Sequence, residues 1–371
     1  MREPTRAGLW GIAFLLAGCG GDAPANLGGG ATETDNVVRL HVGARDGRHL
    51  PGTRVVFVRT DTWLSDVARG DGPRTYQALS DSLGEVRMAL PTGRWSAQAQ
   101  TDSQGAILPL ETTESPQSMV LGPLSTLRIR LSGRPVASLR VAGTAWEGLT
   151  DSVGTWTFRL PAGTRAIVAR TGDDLSPAAA VVLRDGQDLD TTATVVSGRV
   201  VLDDFTSGTA KTSVAAYVGA GTWFSNEWGT RIGSEEDSTG PSFRGKMSLR
   251  YTAPDTANAA LVGIVFRDRE GFRPLDLSGL DSICVELRGN GEVRMFVIQY
   301  DQDGTWLRSA DAFLAVDSTW RKRCVAPSDM HDPWDPVKTR ANTLAWLAKR
   351  GDWLELRAPV LWGASLQDLS R

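Results

Sequence analysis

The feature that most constrains this chain is a duplication. The segment DSLGEVRMALPTGR at 81–94 aligns without a gap to DSVGTWTFRLPAGT at 151–164, with Asp, Ser, Gly, Leu, Pro and Gly coinciding. Upstream, Val55 to Trp63 corresponds to Ala137 to Trp146 once a longer loop is allowed in the first copy. A recurring unit of this length predicts two similar domains laid end to end, 37–120 and 121–196, rather than one large fold. Each unit is made of turn chemistry and short alternating runs. Asp81-Ser82-Leu83-Gly84 precedes Val86 to Leu90, and Pro91-Thr92-Gly93 precedes Trp95 to Ala99. Helix signals are nearly absent, and the turns are close enough together for strands only. Asp81 and Asp151 are expected to accept backbone hydrogen bonds inside their own turns, and Gly93 and Gly163 to take positive φ.

This piece resembles the transthyretin-like or carboxypeptidase-regulatory-like β-sandwich family. In that family a D-x-x-G turn precedes one strand, and a proline-glycine turn such as LPTG or LPAG leads into the next. The resemblance implies modules that act as spacers or contact platforms. His41 and His49 fall in the first unit with no cysteine or histidine partner at ligand spacing, and they read as ordinary polar strand and turn residues.

From Arg199 onward the strands lengthen, and eight of the thirteen tryptophans lie between 223 and 362. Met247 to Tyr251, Leu261 to Phe266, Ser282 to Arg288, Val293 to Tyr300 and Trp353 to Arg357 all read as strands. Val293 to Tyr300 is apolar on both faces for part of its length and so central. Asp301-Gln302-Asp303-Gly304 reads as a plain turn. About eight to ten strands is the content of a jelly-roll sandwich. The whole chain is therefore expected to be all-β, with two small sandwiches followed by a larger jelly roll over 199–371.

Five segments carry a more pointed resemblance: VLDDFTSG at 201–208, NEWGTRIG at 226–233, GIVFR at 263–267, DLSGLDSICVELRGNGEVRMFVIQY at 276–300 and GDWLELRAPVLWGASL at 351–366. Together they resemble a galactose-binding-like jelly roll of the kind found in family-11 carbohydrate-binding modules and in complex I assembly factors. The resemblance implies one structural Ca²⁺ near the opening strand, with Asp203 or Asp204 at the matching position. The alternative is that these charged residues simply cap a strand end, since Ca²⁺ needs six to eight oxygens. It also implies a sugar site built from aromatic rings and hydroxyl-binding polar groups. Trp223, Trp228 and Trp306, with Asn226, Arg231, Arg294 and Gln299, are the expected contacts. Trp320, Trp353 and Trp362 lie in strand-like stretches and are expected in the core. Cys284 and Cys324 sit in two strands of this domain, either as a disulfide or as two buried thiols.

The chain opens MREPTRAGLWGIAFLLAGCG, a basic start followed by an apolar run too short to span a bilayer as a stable helix. Leu16-Ala17-Gly18-Cys19 resembles the lipobox of bacterial lipoproteins. That resemblance implies a signal peptide over 1–18, removal of it before Cys19, and acylation of Cys19 to hold the protein to a lipid membrane. Gly20 rather than Asp follows, so the inner-membrane retention signal of some Gram-negative bacteria is absent. Display on the outer membrane, facing periplasm or exterior, is expected. Residues 19–36 then form the lipidated start and a Gly- and Ala-rich flexible linker.

With 40 basic against 43 acidic residues and no basic cluster, nucleic-acid binding is excluded as a reading. Catalytic constellations are also scarce, with no H-E-x-x-H, no G-x-S-x-G and no phosphate-cradling glycine loop. The expectation is a non-catalytic lipoprotein whose C-terminal module binds a polysaccharide or cell-wall glycan. The alternative is a structural or protein-interaction lipoprotein whose jelly roll binds no sugar.

Overall fold

The computed structural model describes residues 37–110, 116–132, 137–171, 174–205, 210–227, 242–244, 248–252, 259–268, 271–332, 340–349 and 352–369. Residues 1–36, where the signal peptide, the acylated Cys19 and the linker are expected, lie outside the described residues. Asn36–Arg371 forms one compact unit. It is all-β apart from short helical turns. Among the described residues, no helix is long and apolar enough to cross a membrane.

The first sandwich contains β1 (Val37–Ala44), β2 (Arg54–Arg59), helix α1 (Trp63–Arg69), β3 (Thr75–Leu79), β4 (Glu85–Ala89), β5 (Trp95–Gln100), β6 (Gln104–Pro109) and the start of β7 (Gln117–Ser132). The order β3-β2-β5-β6 faces β4-β1-β7. Alternate residues such as Leu40, Val42, Phe57, Val86, Ala97 and Leu121 fill the space between these layers.

The second sandwich uses the rest of β7 with β8 (Ser138–Val141), β9 (Glu147–Leu149), β10 (Thr155–Pro161), β11 (Gly163–Thr171), β12 (Asp174–Leu183) and β13 (Asp188–Thr194). Its layers, β9-β8-β11-β12 and β10-β7-β13, repeat the order of the first. The N-terminal half of β7 runs parallel to β1, while its C-terminal half lies between antiparallel β10 and parallel β13. The expected division at 120/121 therefore falls inside a continuous strand. The two copies are fused through one shared strand rather than joined by a linker.

The D-x-x-G segments make matching tight turns, each carrying the chain from one layer of its sandwich to the other. Asp81 Oδ1 accepts from the Leu83 and Glu85 amides, both at 2.9 Å, and Asp151 Oδ1 accepts from Val153 and Thr155 at 3.0 and 2.8 Å. Gly84 and Gly154 close the turns at φ 75° and 80°, where a side chain would be strained. The jelly roll uses the same device. Asp301 Oδ1 accepts from Asp303 and Thr305 at 3.0 and 2.7 Å, with Gly304 at φ 88°.

The longer loop of the first copy departs from the strands-only reading because it folds into α1. Trp63, Leu64 and Val67 form its apolar side, and Gly70 ends it at φ 87° with its amide on the Val67 carbonyl at 3.0 Å.

The C-terminal sandwich comprises β14 (Arg199–Val201), α2 (Ala215–Val218), β15 (Thr222–Glu227), β16 (Ser242–Arg244), β17 (Ser248–Thr252), β18 (Ala259–Val265), β19 (Arg267–Asp268), β20 (Gly271–Phe272), β21 (Ser282–Gly289), β22 (Glu292–Tyr300), β23 (Trp306–Ala315), β24 (Arg321–Val325), β25 (Thr343–Lys349) and β26 (Trp353–Trp362). One sheet runs β16-β17-β26-β21-β24, with β14 against β26, and the other runs β15-β18-β25-β22-β23. Val285, Leu287, Leu354 and Leu356 of the first sheet bury against Val262, Met295, Leu344 and Trp346 of the second. Cys284 and Cys324 face each other across β21 and β24 and are joined by a disulfide, S–S 2.04 Å.

This core does not stop at residue 199. Trp63, Leu64 and Val67 of α1 and Val168 and Leu175 of the second sandwich belong to the same cluster. The 196/199 boundary divides the sequence without dividing the packing.

Candidate functional site

Along β22, alternation sends Val293, Met295 and Val297 into the core and leaves Arg294, Phe296, Ile298 and Tyr300 on the outer side. The ladder places Leu347 opposite Arg294 and Ala345 opposite Phe296 on β25. Beyond β25, Gly263 of β18 lies opposite Ala345 and Phe224 of β15 opposite Gly263. A Cβ at Gly263 would sit 2.8 Å from the Phe224 ring and 2.5 Å from the Leu344 carbonyl, so only glycine lets that ring lie across the sheet. The middle of this face is therefore an apolar cluster of its own, in which Leu261, Phe296 and Ile298 are buried.

The accessible part lies at the β23 edge. Among the described residues from Arg199 on, the exposed large hydrophobic side chains are Trp306 (58%), Leu307 (46%) and Phe313 (51%), all on β23. Trp306 is opposite Tyr300 across a bulge in the ladder, so both lie on one side of the sheet. Phe272 of the β19–β20 hairpin packs on Tyr300 at 5.1 Å between centroids, and the Arg267 guanidinium lies 5.5 Å over Phe272. Burial pushes the Tyr300 hydroxyl pKa up, which keeps it a neutral donor and acceptor.

At the other end of β23, Arg294 grips the buried Asp311 through two hydrogen bonds of 2.6 and 2.8 Å. Its guanidinium is 4.8 Å from the Phe296 centroid and 5.2 Å from that of Phe313. The hydrogen bond to Asp311 raises the Arg294 pKa and outweighs the opposing cost of partial burial. His331 stands edge-on to Phe313 at 5.8 Å, and its segment bridges to Asp311 through a 2.8 Å backbone hydrogen bond. Trp306 and Phe313 are thus about 20 Å apart along one edge, from strand rise alone.

The sequence-predicted contacts divide accordingly. Arg294 and Trp306 lie on this face. Trp223 does not: it is 3% exposed, inside the core, and its indole N–H donates to Asp203. Gln299 is also corrected, because it shares the inward parity of Met295 and Val297 at the strand end. The Asn226 backbone pairs with Leu261 in β15, while Trp228 and Arg231 lie outside the described residues. Phe313, Tyr300 and Phe272 were not among the expected contacts, although the alternation of Ala310-Asp311-Ala312-Phe313-Leu314 points Phe313 away from the core. Trp320, Trp353 and Trp362 also differ from the core expectation. All three are half-buried, Trp320 under the guanidinium groups of Arg288 and Arg357 at 4.9 and 4.3 Å.

In the Asp-Asp-Phe motif, Asp203 organises the opening turn of the sandwich. Asp203 is fully buried and accepts from the amides of Phe205 (2.9 Å) and Ser213 (3.1 Å), from Ser213 Oγ (2.8 Å) and from Trp223 Nε1 (2.6 Å). Its turn holds Phe205 at φ 57°, stacking that ring on Trp223 at 5.6 Å. With four protein donors on its oxygens, Asp203 does not fit a Ca²⁺ ligand. No group of three or more His, Cys, Asp or Glu side chains among the described residues is placed to hold a metal.

A pocket of about 190 Å³ opens between the first sandwich and α2, lined by Thr60, Asp61, Trp63, Arg94, Tyr217 and Arg273 among others. Asp61, the carboxylate among these lining residues, is tied to Arg59 at 2.8 Å.

No protein-family model matches the sequence, and no curated protein matches it. Among solved structures, the chain is similar to the family 11 carbohydrate-binding module of the cellulosomal cellulase Lic26A-Cel5E of Clostridium thermocellum. The identity is 16% over 46% of this chain and 96% of that one, with a TM-score of 0.29. A family 29 carbohydrate-binding module matches at 9% identity over 46% of this chain and 95% of that one, TM-score 0.29. The Bacillus anthracis TIE protein matches at 11% identity over 43% of this chain and 34% of that one, TM-score 0.19. Likenesses this shallow do not define what the chain does.

Proposed function

We propose that this chain is a non-catalytic, lipid-anchored surface protein whose C-terminal sandwich binds an extended polysaccharide along β22 and β23. The observation that carries the reading is the confinement of exposed large apolar side chains in this region to one strand, with Tyr300 and Arg294 beside them. Rings lying flat against sugar C–H faces bury apolar area at low entropic cost, and the neighbouring guanidinium and hydroxyl groups choose among hydroxyl patterns. A spacing of about 20 Å between Trp306 and Phe313 suits a chain of sugars rather than a single ring.

The test is retention of the full-length protein on insoluble and soluble plant and bacterial polysaccharides. Trp306→Ala and Phe313→Ala each remove an exposed ring worth about 1.5–3 kcal/mol when covered, so each should weaken retention roughly tenfold or more. Both side chains are exposed, so both variants should fold. No retention of the wild type on any glycan, or equal retention of both variants, would sink the proposal.

The anchor is tested separately. In a bacterial host, Cys19→Ala should move the protein from the detergent phase to the aqueous phase and abolish incorporation of labelled fatty acid. Unchanged partitioning would remove acylation from the proposal while leaving the sugar site untouched.

A further inference from the structure

His41 and His49 are eight residues apart and share no recognisable ligand spacing, yet the fold brings their rings together. His41 Nε2 and His49 Nδ1 are 2.6 Å apart, with the ring planes at 86°. From these groups we infer a two-histidine site for a divalent transition-metal ion such as Zn²⁺, Ni²⁺ or Cu²⁺.

Three observations support it. Both backbones are already fixed. His41 lies on β1 between Glu85 of β4 and Ser118 of β7, and His49 forms a bridge with Gly43, flanked by Leu50 N to Val42 O at 3.1 Å and Ala44 N to Arg48 O at 2.9 Å. Little chain entropy remains to be lost on binding. Second, Gly43 clears the space beside the pair. A Cβ there would lie 3.4 Å from His41 Cε1 and 3.3 Å from the Arg48 carbonyl. Third, the two nitrogens point at one another and share one N–H···N hydrogen bond, so the position of that proton is where a cation bound by both rings would sit. Metal–nitrogen bonds of about 2.0–2.1 Å at a tetrahedral angle place the nitrogens roughly 3.3 Å apart, an opening that side-chain torsions can supply. As the metal enters, the shared proton is passed through solvent to the outer nitrogen of the ring that carried it, so both imidazoles bind in the neutral form with no net proton released.

Two imidazole nitrogens favour borderline d-block ions over Ca²⁺ or Mg²⁺, which take oxygen ligands. His49 is exposed, so water completes the coordination. The bound ion would clip the β1–β2 loop onto the central strand of its layer. This site is independent of the glycan reading.

Isothermal titration of ZnCl₂ and NiCl₂ into the full-length chain, with Cys19 capped by iodoacetamide, tests the proposal. The wild type and His331→Ala should bind one equivalent. His49→Ala, which removes an exposed loop side chain, and His41→Ala should each weaken binding at least tenfold. Failure of the wild type to bind either ion, or wild-type affinity in His49→Ala, would overturn the site.

Discussion

Replacing Asp203 with alanine is expected to cost the protein about 3 kcal/mol or more, read as a lowered midpoint in urea unfolding followed by tryptophan fluorescence. The carboxylate is fully buried and accepts four hydrogen bonds, so its removal orphans the Phe205 and Ser213 amides and the Trp223 indole N–H together. Orphaned buried donors cost roughly 1–3 kcal/mol each, which exceeds the net value of the bonds themselves. The loss also spreads. Phe205 keeps its left-handed φ of 57° through the Asp203 turn, and its ring stacks on Trp223, which in turn packs against Trp346 at 6.0 Å. Asp203→Asn keeps the shape but turns one acceptor into a donor facing donors, so it should fall between wild type and alanine. In protein prepared free of transition metals, a chelator should leave the wild-type midpoint unchanged. If chelation instead lowered that midpoint to the level of Asp203→Ala, a metal role for this carboxylate would be restored.

How far the sequence reached depends on whether the signal was local. The D-x-x-G turns were legible because Asp81, Asp151 and Asp301 each bind amides two and four residues on, and glycine at the fourth position answers a positive φ. Strand β22 was legible as central because it is apolar on both faces, and it does lie between β25 and β23. Helix α1 was missed because a run from Trp63 to Arg69 is too short to display a helical period, although Gly70 stands where a helix-ending glycine belongs. Trp223 was misplaced because its partner, Asp203, is distant in sequence, and a tryptophan near a turn looks alike in core and surface settings. Phe313 was overlooked for the converse reason. Only the identity of β23 as the edge of its sheet separates an exposed ring from a buried one. The His41–His49 pair depends on a single strand bridge at Gly43, which no residue spacing announces.

Trp63→Ala is the substitution expected to travel furthest, with about 3–5 kcal/mol lost and a broader, less cooperative unfolding transition. Trp63 belongs to the first sandwich by sequence, yet it is 2% exposed within the cluster that fills the C-terminal sandwich, and its indole N–H donates to the Thr144 carbonyl of the second at 2.7 Å. One side chain of the first module is thus bonded to the second and buried in the core that fills the third. Arg170 reinforces the junction by donating to the Val67 carbonyl at 3.3 Å, and the Gln367 side chain accepts from the Leu175 amide at 3.2 Å. Without the indole, the cavity and the orphaned Thr144 carbonyl weaken the interface before they weaken any single sheet. The modules should therefore begin to unfold at different urea concentrations. Trp63→Phe separates the two contributions, since it keeps most of the packing and forfeits only the N–H···O bond, for a loss of about 1 kcal/mol. A single sharp transition in Trp63→Ala with a midpoint near that of the wild type would mean that the shared strand β7 and the common core hold the modules together without α1.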